Sequence, residues 1–265
     1  MRLRGRVLVV AGSDSGGGAG VQADIKAVSA MGAYAATALT ALTAQNTQGV
    51  QGVLGVPAAF VALQMRSVLD DLGADAIKTG MLADQSVIEA VAEVLRTVPG
   101  VPLVLDPVMV AKGGQSLLDP ASVAALVREL LPRAAVVTPN LPEAEALTGA
   151  PVADVAAMHR AAERLLRMGA AAVLLKGGHL PGGILTDLLA TPDGTTAFEQ
   201  SRVPTRHTHG TGCTLASAIA AGLAQGIDLA DAVARARAYV RAAIETAPGL
   251  GSGHGPLNHL AWATG

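Results

Sequence analysis

The sequence predicts an α/β sandwich with a mostly parallel central sheet, folded as one domain over residues 1–265. Three observations predict it. Short apolar runs alternate in regular order with longer helix-like segments, the pattern of strand–helix–strand units. Several of the short runs are apolar at consecutive positions, as expected of strands buried on both faces of a parallel sheet. Hydrophobic residues make up 51% of the chain and aromatics only 2%, so small aliphatic side chains fill a large core and let helices pack close to the sheet.

Taken in order, the first strand is 7–11, which follows a basic start. Its five apolar residues are too few for the apolar region of a signal peptide and suit a buried strand. A glycine-rich turn leads into helix 21–31. Strand 33–42 follows and runs into a polar stretch. Helix 58–71, strand 75–78, helix 85–97, strand 103–106, helix 121–131 and strand 135–138 continue the alternation. Helix 142–148 opens within a Pro-Asn-Leu-Pro segment. Asp154 reads as the N-cap of helix 155–168 and Gly169 as its stop. Strands 172–176 and 184–189 come next. Segment 191–206 lacks clean periodicity and reads as either a small antiparallel edge or a loop. Helices 211–225 and 229–246 complete the pattern, and the glycine-rich tail 249–255 reads as irregular.

Composition excludes some functions. The formal net charge is −2, there is no arginine-rich run, and few aromatics are available to stack on bases, so nucleic acid is not an expected partner. No apolar run reaches the ~18 residues of a membrane span. Cys213 is the single cysteine. An intrachain disulfide is therefore impossible, which suits a reducing, cytoplasmic setting.

Five segments carry candidate chemistry. Gly12-Ser-Asp-Ser-Gly-Gly-Gly-Ala-Gly20 is a strand-to-helix turn that can offer backbone N–H groups to an anion or let a ligand approach the backbone. It is neither a Walker A loop nor G-x-G-x-x-G, because no Lys-Ser or Lys-Thr follows and Val21 stands where the third glycine belongs. His209-Gly-Thr-Gly-Cys-Thr214 opens an apolar, small-residue helix. The unpaired N–H groups at its start would stabilise a transferring phosphoryl group. Cys213 in its first turn is expected to have a lowered pKa; a buried structural cysteine is the alternative. Thr138-Pro-Asn-Leu-Pro-Glu143 sets Asn140 and Glu143 three apart, which suits either water-mediated Mg2+ binding or a helix cap, the cap being favoured. Asp106 stands at the C-terminal end of a strand, where ligands sit in open parallel sheets, and Lys112 precedes a glycine pair that reads as a closing loop. Lys176 stands at another strand end, able to reach a phosphate. Gln45, in a polar stretch read as a loop, carries a donor and an acceptor that match an aminopyrimidine edge.

Together these segments resemble the ribokinase-like superfamily and, more narrowly, the hydroxymethylpyrimidine/phosphomethylpyrimidine kinases of thiamine biosynthesis. The match is carried by residues 11–24, 40–50, Lys78-Thr-Gly-Met-Leu82, Leu105-Asp-Pro-Val-Met-Val-Ala-Lys112, Thr138-Pro-Asn-Leu-Pro-Glu143, Leu175-Lys-Gly-Gly-His179, Thr208-His-Gly-Thr-Gly-Cys-Thr214 and Gly253-His-Gly-Pro-Leu-Asn-His259. It spans nearly the whole chain, in the family's order. The resemblance implies a three-layer αβα sandwich with its site along the strands' C-terminal edge, ATP and Mg2+ as cofactors, and a homodimer. It implies two successive phosphoryl transfers, first to 4-amino-5-hydroxymethyl-2-methylpyrimidine and then to its monophosphate. It implies that Gly210, Thr211, Gly212 and Cys213 form an anion hole, with Cys213 as proton acceptor. Gln45 would bind the pyrimidine edge, with Gly12, Asp24 and Met81 lining the pocket. Asp106, Asn140 and Glu143 would organise Mg2+ and the triphosphate, Lys176 would neutralise phosphate charge, and Lys112 would ride on a flap. Thr205-Arg-His-Thr-His209 departs from the family pattern, where Lys-Asn is expected in the middle, so Arg206 and His207 receive no role. Pyridoxal kinases of the same superfamily are the nearest alternative, and a catalytically silent binding protein is a further one.

Overall fold

The computed structural model describes residues 4–109 and 118–262. Among the described residues, nine strands form one sheet: β1 (Arg6–Asp14), β2 (Tyr34–Asn46), β3 (Gly49–Gly55), β4 (Ala76–Thr79), β5 (Leu103–Leu105), β6 (Ala134–Val137), β7 (Val173–Leu175), β8 (Ile184–Thr191) and β9 (Gly194–Ser201). The same described residues hold eight α-helices that connect and follow the strands: α1 (Gly20–Ala30), α2 (Ala58–Asp71), α3 (Gln85–Arg96), α4 (Pro120–Glu129), α5 (Leu141–Thr148), α6 (Val155–Arg167), α7 (Thr211–Ala224) and α8 (Leu229–Glu245).

The strand order is β3-β2-β1-β4-β5-β6-β7-β8-β9. The six strands from β2 to β7 pair in parallel, while β3, β8 and β9 join antiparallel at the two edges. Alternation along β1 explains the layering. Leu8 and Val10 point into a core cluster shared with α2 to α6, whereas Val7, Val9 and Ala11 point into a second cluster shared with α1, α7 and α8. Both faces of the sheet are therefore covered, and the three-layer αβα arrangement expected from the resemblance is the one found.

Helix starts follow the capping chemistry of the sequence. Asp84, Asp119 and Asp154 each accept an N–H of the first turn, from Val87 at 3.0 Å, Ser122 at 2.7 Å and Ala157 at 2.6 Å. No helix among the described residues is long and apolar enough to cross a membrane.

Two expectations change, and one open reading is resolved. The strand expected at 33–42 runs on to Asn46, so Gln45 lies on a strand and not in a polar loop. β3 was not expected at all; it is solvent-exposed along most of its length and so lacks the apolar pattern that marks a buried strand. The ambiguous segment 191–206 contains β9, which completes an antiparallel edge with β8. Lys112 and its expected flap lie outside the described residues.

Candidate functional site

The C-terminal ends of the parallel strands open onto a cavity of about 750 Å3. It brings together Gly12, Gln45, Met81, Asp106, Asn140, Glu143, Lys176, Gly210, Thr211, Gly212 and Cys213, residues that the sequence spreads over 202 positions (213 − 12 + 1).

The start of α7 forms one wall. Gly210 takes φ +82°, and a Cβ there would run into the carbonyl oxygen of Gly18, so only glycine turns the chain here. Thr211 N–H turns back to Thr208 O (3.3 Å) and Thr214 N–H closes the first helical bond to Gly210 O (2.9 Å). The N–H groups of Gly212 and Cys213 have no acceptor among the described residues. They face the cavity end of a 14-residue helix, where its partial positive charge collects. A Cβ on Gly212 would lie 3.2 Å from Lys176 Nζ and 3.9 Å from Asp106 Oδ2. The bare helix start and the lysine therefore share one spot.

Below it, Lys176 Nζ donates to Asp106 Oδ1 at 3.1 Å and lies 4.0 Å from Glu143 Oε2. Burial works against the lysine charge, but the two carboxyl groups outweigh it and hold its pKa above the ordinary value. Burial likewise lifts the Glu143 carboxyl to about 7, against the pull of Lys176. Asn140 and Glu143 form a complete capping box: Asn140 N–H donates to Glu143 Oε2 (2.7 Å) and Glu143 N–H to Asn140 Oδ1 (3.0 Å). The cap and the cavity lining are thus one feature serving both purposes. Thr138 Oγ1 donates to Asp106 Oδ1 at 3.0 Å, and Asp106 Oδ2 is buried with no partner among the described residues. That free carboxylate oxygen, beside Glu143, is the chemistry a hard divalent cation prefers. No cluster of three metal-ligating side chains occurs among the described residues. A cation here would therefore draw most of its shell from water and from its ligand's own oxygens.

The structure corrects three expectations. Asp24 does not line the cavity. It is fully buried beneath it, paired to Lys78 Nζ through both oxygens at 3.0 Å and accepting Ser217 Oγ at 2.7 Å. A short polar side chain on the buried face of α1 meets an equally buried lysine on β4 and never reaches the opening. Cys213 is also revised. Burial pushes its thiol up to about 12, and the nearby Lys78 offsets only part of that. The helix start favours a thiolate, but loss of water around the sulfur is the larger effect, so Cys213 is a thiol at neutral pH. Finally, three amides of the glycine-rich turn are not available to a ligand. Asp14 takes them itself, from Gly16 (2.8 Å), Gly18 (3.1 Å) and Ala19 (2.8 Å).

Four residues that sequence reasoning left without a role stand in or under the site. Asp14 and His209 pair at 2.8 Å, Thr43 lines the wall beside Gln45, and Lys78 is fully buried below. Asp14 was legible, since an Asp followed by a glycine-rich turn commonly accepts the turn's own amides. The other three carry no local signal.

The Cys213 revision gives a simple expectation. As the single cysteine, it reports its own titration through alkylation by iodoacetamide. The rate should still be rising about tenfold per pH unit at pH 10, where an ordinary thiol has levelled off. A plateau by pH 8 would restore the thiolate.

Comparison with known proteins gives a consistent picture. Residues 14–258 match the family model described as phosphomethylpyrimidine kinase. The chain is 53% identical over 256 residues to the hydroxymethylpyrimidine/phosphomethylpyrimidine kinase of Rhizobium meliloti, covering 96% of each. It is 54% identical over 257 residues to the thiamine biosynthesis bifunctional protein ThiED of Geobacter sulfurreducens, and there 97% of this chain spans 52%, about half, of the longer relative. Among solved structures, an ADP complex of Bacillus subtilis pyridoxal kinase superposes with a TM-score of 0.92 at 35% identity, over 99% of this chain and 100% of the other.

Proposed function

The chain belongs to the phosphomethylpyrimidine kinase family, and from that premise we propose that it moves the γ-phosphoryl group of ATP onto the hydroxymethyl group of 4-amino-5-hydroxymethyl-2-methylpyrimidine, then onto the resulting monophosphate, for thiamine diphosphate synthesis. The observation that carries this reading is the bare start of α7 lying against Lys176, inside a cavity that has Gln45 on its wall.

Phosphoryl transfer asks for in-line positioning and charge stabilisation more than for covalent chemistry. The unpaired N–H groups of Gly212 and Cys213 are aimed where the transferring group's equatorial oxygens gather charge. Lys176 adds a cation at the same spot. Asp106, through its free Oδ2, and Glu143 would hold Mg2+ beside it, directly or through water, and the ion would supply neutralisation of phosphate charge. Asn140 fixes Glu143 through the capping box. Gln45 holds the aminopyrimidine edge, and Gly12 and Met81 pack the ring: a Cβ on Gly12 would meet Met81 Cε, so the methionine tip fills the space that glycine leaves open. Cys213 enters as a neutral thiol that accepts the Gly20 N–H, a member of the anion hole and not a resting base.

Cytoplasmic location fits the free cysteine. A homodimer fits the exposed apolar side chains Leu54 on β3 and Phe60 and Leu63 on α2. The strong superposition on a pyridoxal kinase keeps pyridoxal as a second candidate substrate. Phosphorus NMR of the protein with MgATP and the pyrimidine alcohol should show the monophosphate and then the diphosphate. Phosphorylation of pyridoxal alone would replace this reading, and no turnover of either would leave a silent binding protein.

A further inference from the structure

Lys176 stands on a stretch of backbone that a buried ion pair reaches from behind the site. β7 and β8 pair antiparallel through Val173–Ala190, Leu174–Leu189 and Leu175–Leu188, and the ladder ends there. Lys176 lies one step beyond it. Its own N–H donates to the Pro139 carbonyl at 2.9 Å, on the side of the sheet away from β8. The next N–H, that of Gly177, donates to a side chain, Asp187 Oδ1, in a buried contact of 2.9 Å. Gly177 passes so near β8 that a Cβ on it would run into the Thr186 carbonyl oxygen. The close approach requires glycine, and it brings the amide to Asp187.

Asp187 is fixed in turn. Alternation along β8 puts it on the same face as Leu189, the face that α1, α7 and α8 cover. There Arg237, on the buried side of α8, donates Nε–H to Asp187 Oδ2 at 2.8 Å. Arg237 has anchors of its own on β9. Its Nη2 donates to the Phe198 carbonyl at 3.2 Å, and its guanidinium lies 5.3 Å from the centre of the Phe198 ring. The two side chains are only 9% and 8% exposed. A pair so deep adds little net stability, because taking two ions out of water offsets most of their attraction. The geometry gives it another use. Oδ2 is tied to α8, Oδ1 is left to accept one amide, and that amide directly follows the lysine beside Gly212. Neither Asp187 nor Arg237 is among the described residues that line the cavity.

We propose that Asp187 and Arg237 are positioning residues for phosphoryl transfer, which hold the base of Lys176 through the Gly177 N–H. This rests on the kinase reading above and deepens it. The lysine ammonium is confined between Asp106 at 3.1 Å, Glu143 at 4.0 Å and the glycine at the start of α7. A shift of about 1 Å at the base of the side chain moves the charge off that spot, and misplacement on this scale can cost about 100-fold in rate.

Two double variants of the full chain separate the ion pair from the amide contact. Asp187→Asn with Arg237→Gln removes both charges and keeps a side-chain oxygen for Gly177. Asp187→Leu with Arg237→Met removes both charges and the oxygen, with apolar groups of similar size. With MgATP and the pyrimidine alcohol, the Asn–Gln protein should keep a kcat close to that of wild type. The Leu–Met protein should lose about 10- to 100-fold in kcat with little change in the pyrimidine KM. Added to Lys176→Met, the Leu–Met pair should cause no further loss, since it acts through the lysine. Equal kcat values in the two double variants, or a Leu–Met loss that persists in full without Lys176, overturn the inference and leave the kinase reading standing. Amide hydrogen exchange on the wild type needs no variant to fold: the Gly177 N–H should be protected, and exchange at the rate of an open loop also overturns the inference. A wild type that phosphorylates nothing overturns both.

Discussion

Replacing Lys176 with Met should lower turnover by about 100- to 1,000-fold, the scale seen when one preorganised charge-stabilising group is removed from a transition state. The same change should cost about 3 kcal/mol of stability, because it leaves a buried carboxylate without its cation. The lysine ammonium is 3.1 Å from Asp106 and 4.0 Å from Glu143, with side chains only 15%, 2% and 6% exposed. The two consequences can be separated. In the double variant Lys176→Met with Asp106→Asn, one uncompensated charge is gone, so the denaturation midpoint should recover a large part of its loss. The rate should not recover, since the lysine ammonium is still missing beside Gly212 and Asp106→Asn also removes a proposed Mg2+ ligand. Steady-state kinetics and urea denaturation on the three proteins decide the matter. A rate that returns together with stability would reduce Lys176 to a structural ion-pair partner.

The second large effect is expected at Gly210. Gly210→Ala puts a Cβ at φ +82° and into the carbonyl oxygen of Gly18. The left-handed backbone alone costs about 1–2 kcal/mol for a non-glycine residue. The collision forces α7 to start elsewhere, and turnover should fall by about 100-fold or more as the amides of Gly212 and Cys213 leave their aim. Gly226 is a natural control. It has φ +76° but nothing within 4 Å of an added Cβ, so Gly226→Ala should lose about the same strain energy with near-normal turnover. Equal kinetic defects in both variants would mean that general destabilisation, and not the helix start, controls the rate.

Much of this site could be read before the fold was known, and the failures have physical causes. The repeating strand–helix order placed the buried strands within a few residues because consecutive apolar positions mark a strand covered on both faces. β3 escaped notice since an exposed antiparallel edge imposes no such pattern, and that also misplaced Gln45 in a loop. Gly210 to Cys213 and Asn140 to Glu143 were legible as helix starts, where backbone chemistry itself dictates residue type. Asp24 was misassigned because a carboxyl on an amphipathic helix looks the same whether it lines a pocket or meets a buried lysine from a distant strand. The lysine, Lys78, sits in Ala-Ile-Lys-Thr, where nothing local announces that it is 0% exposed. The Cys213 titration was misjudged for a related reason: the helix end is visible in sequence, whereas the depth of water exclusion depends on the whole packed wall.

The Lys78–Asp24 pair under the floor of the cavity bears on how this protein can change. Removing either partner strands the other's charge where no water reaches, a defect of roughly 3–5 kcal/mol, while exchanging both for well-packed apolar residues can be close to neutral. The two positions, 54 residues apart, are therefore bound by strong epistasis: each one-letter step leads down into a valley, and only a simultaneous double step crosses it. A mutational library built one codon at a time will score both sites as immutable, although their true constraint is on the combination.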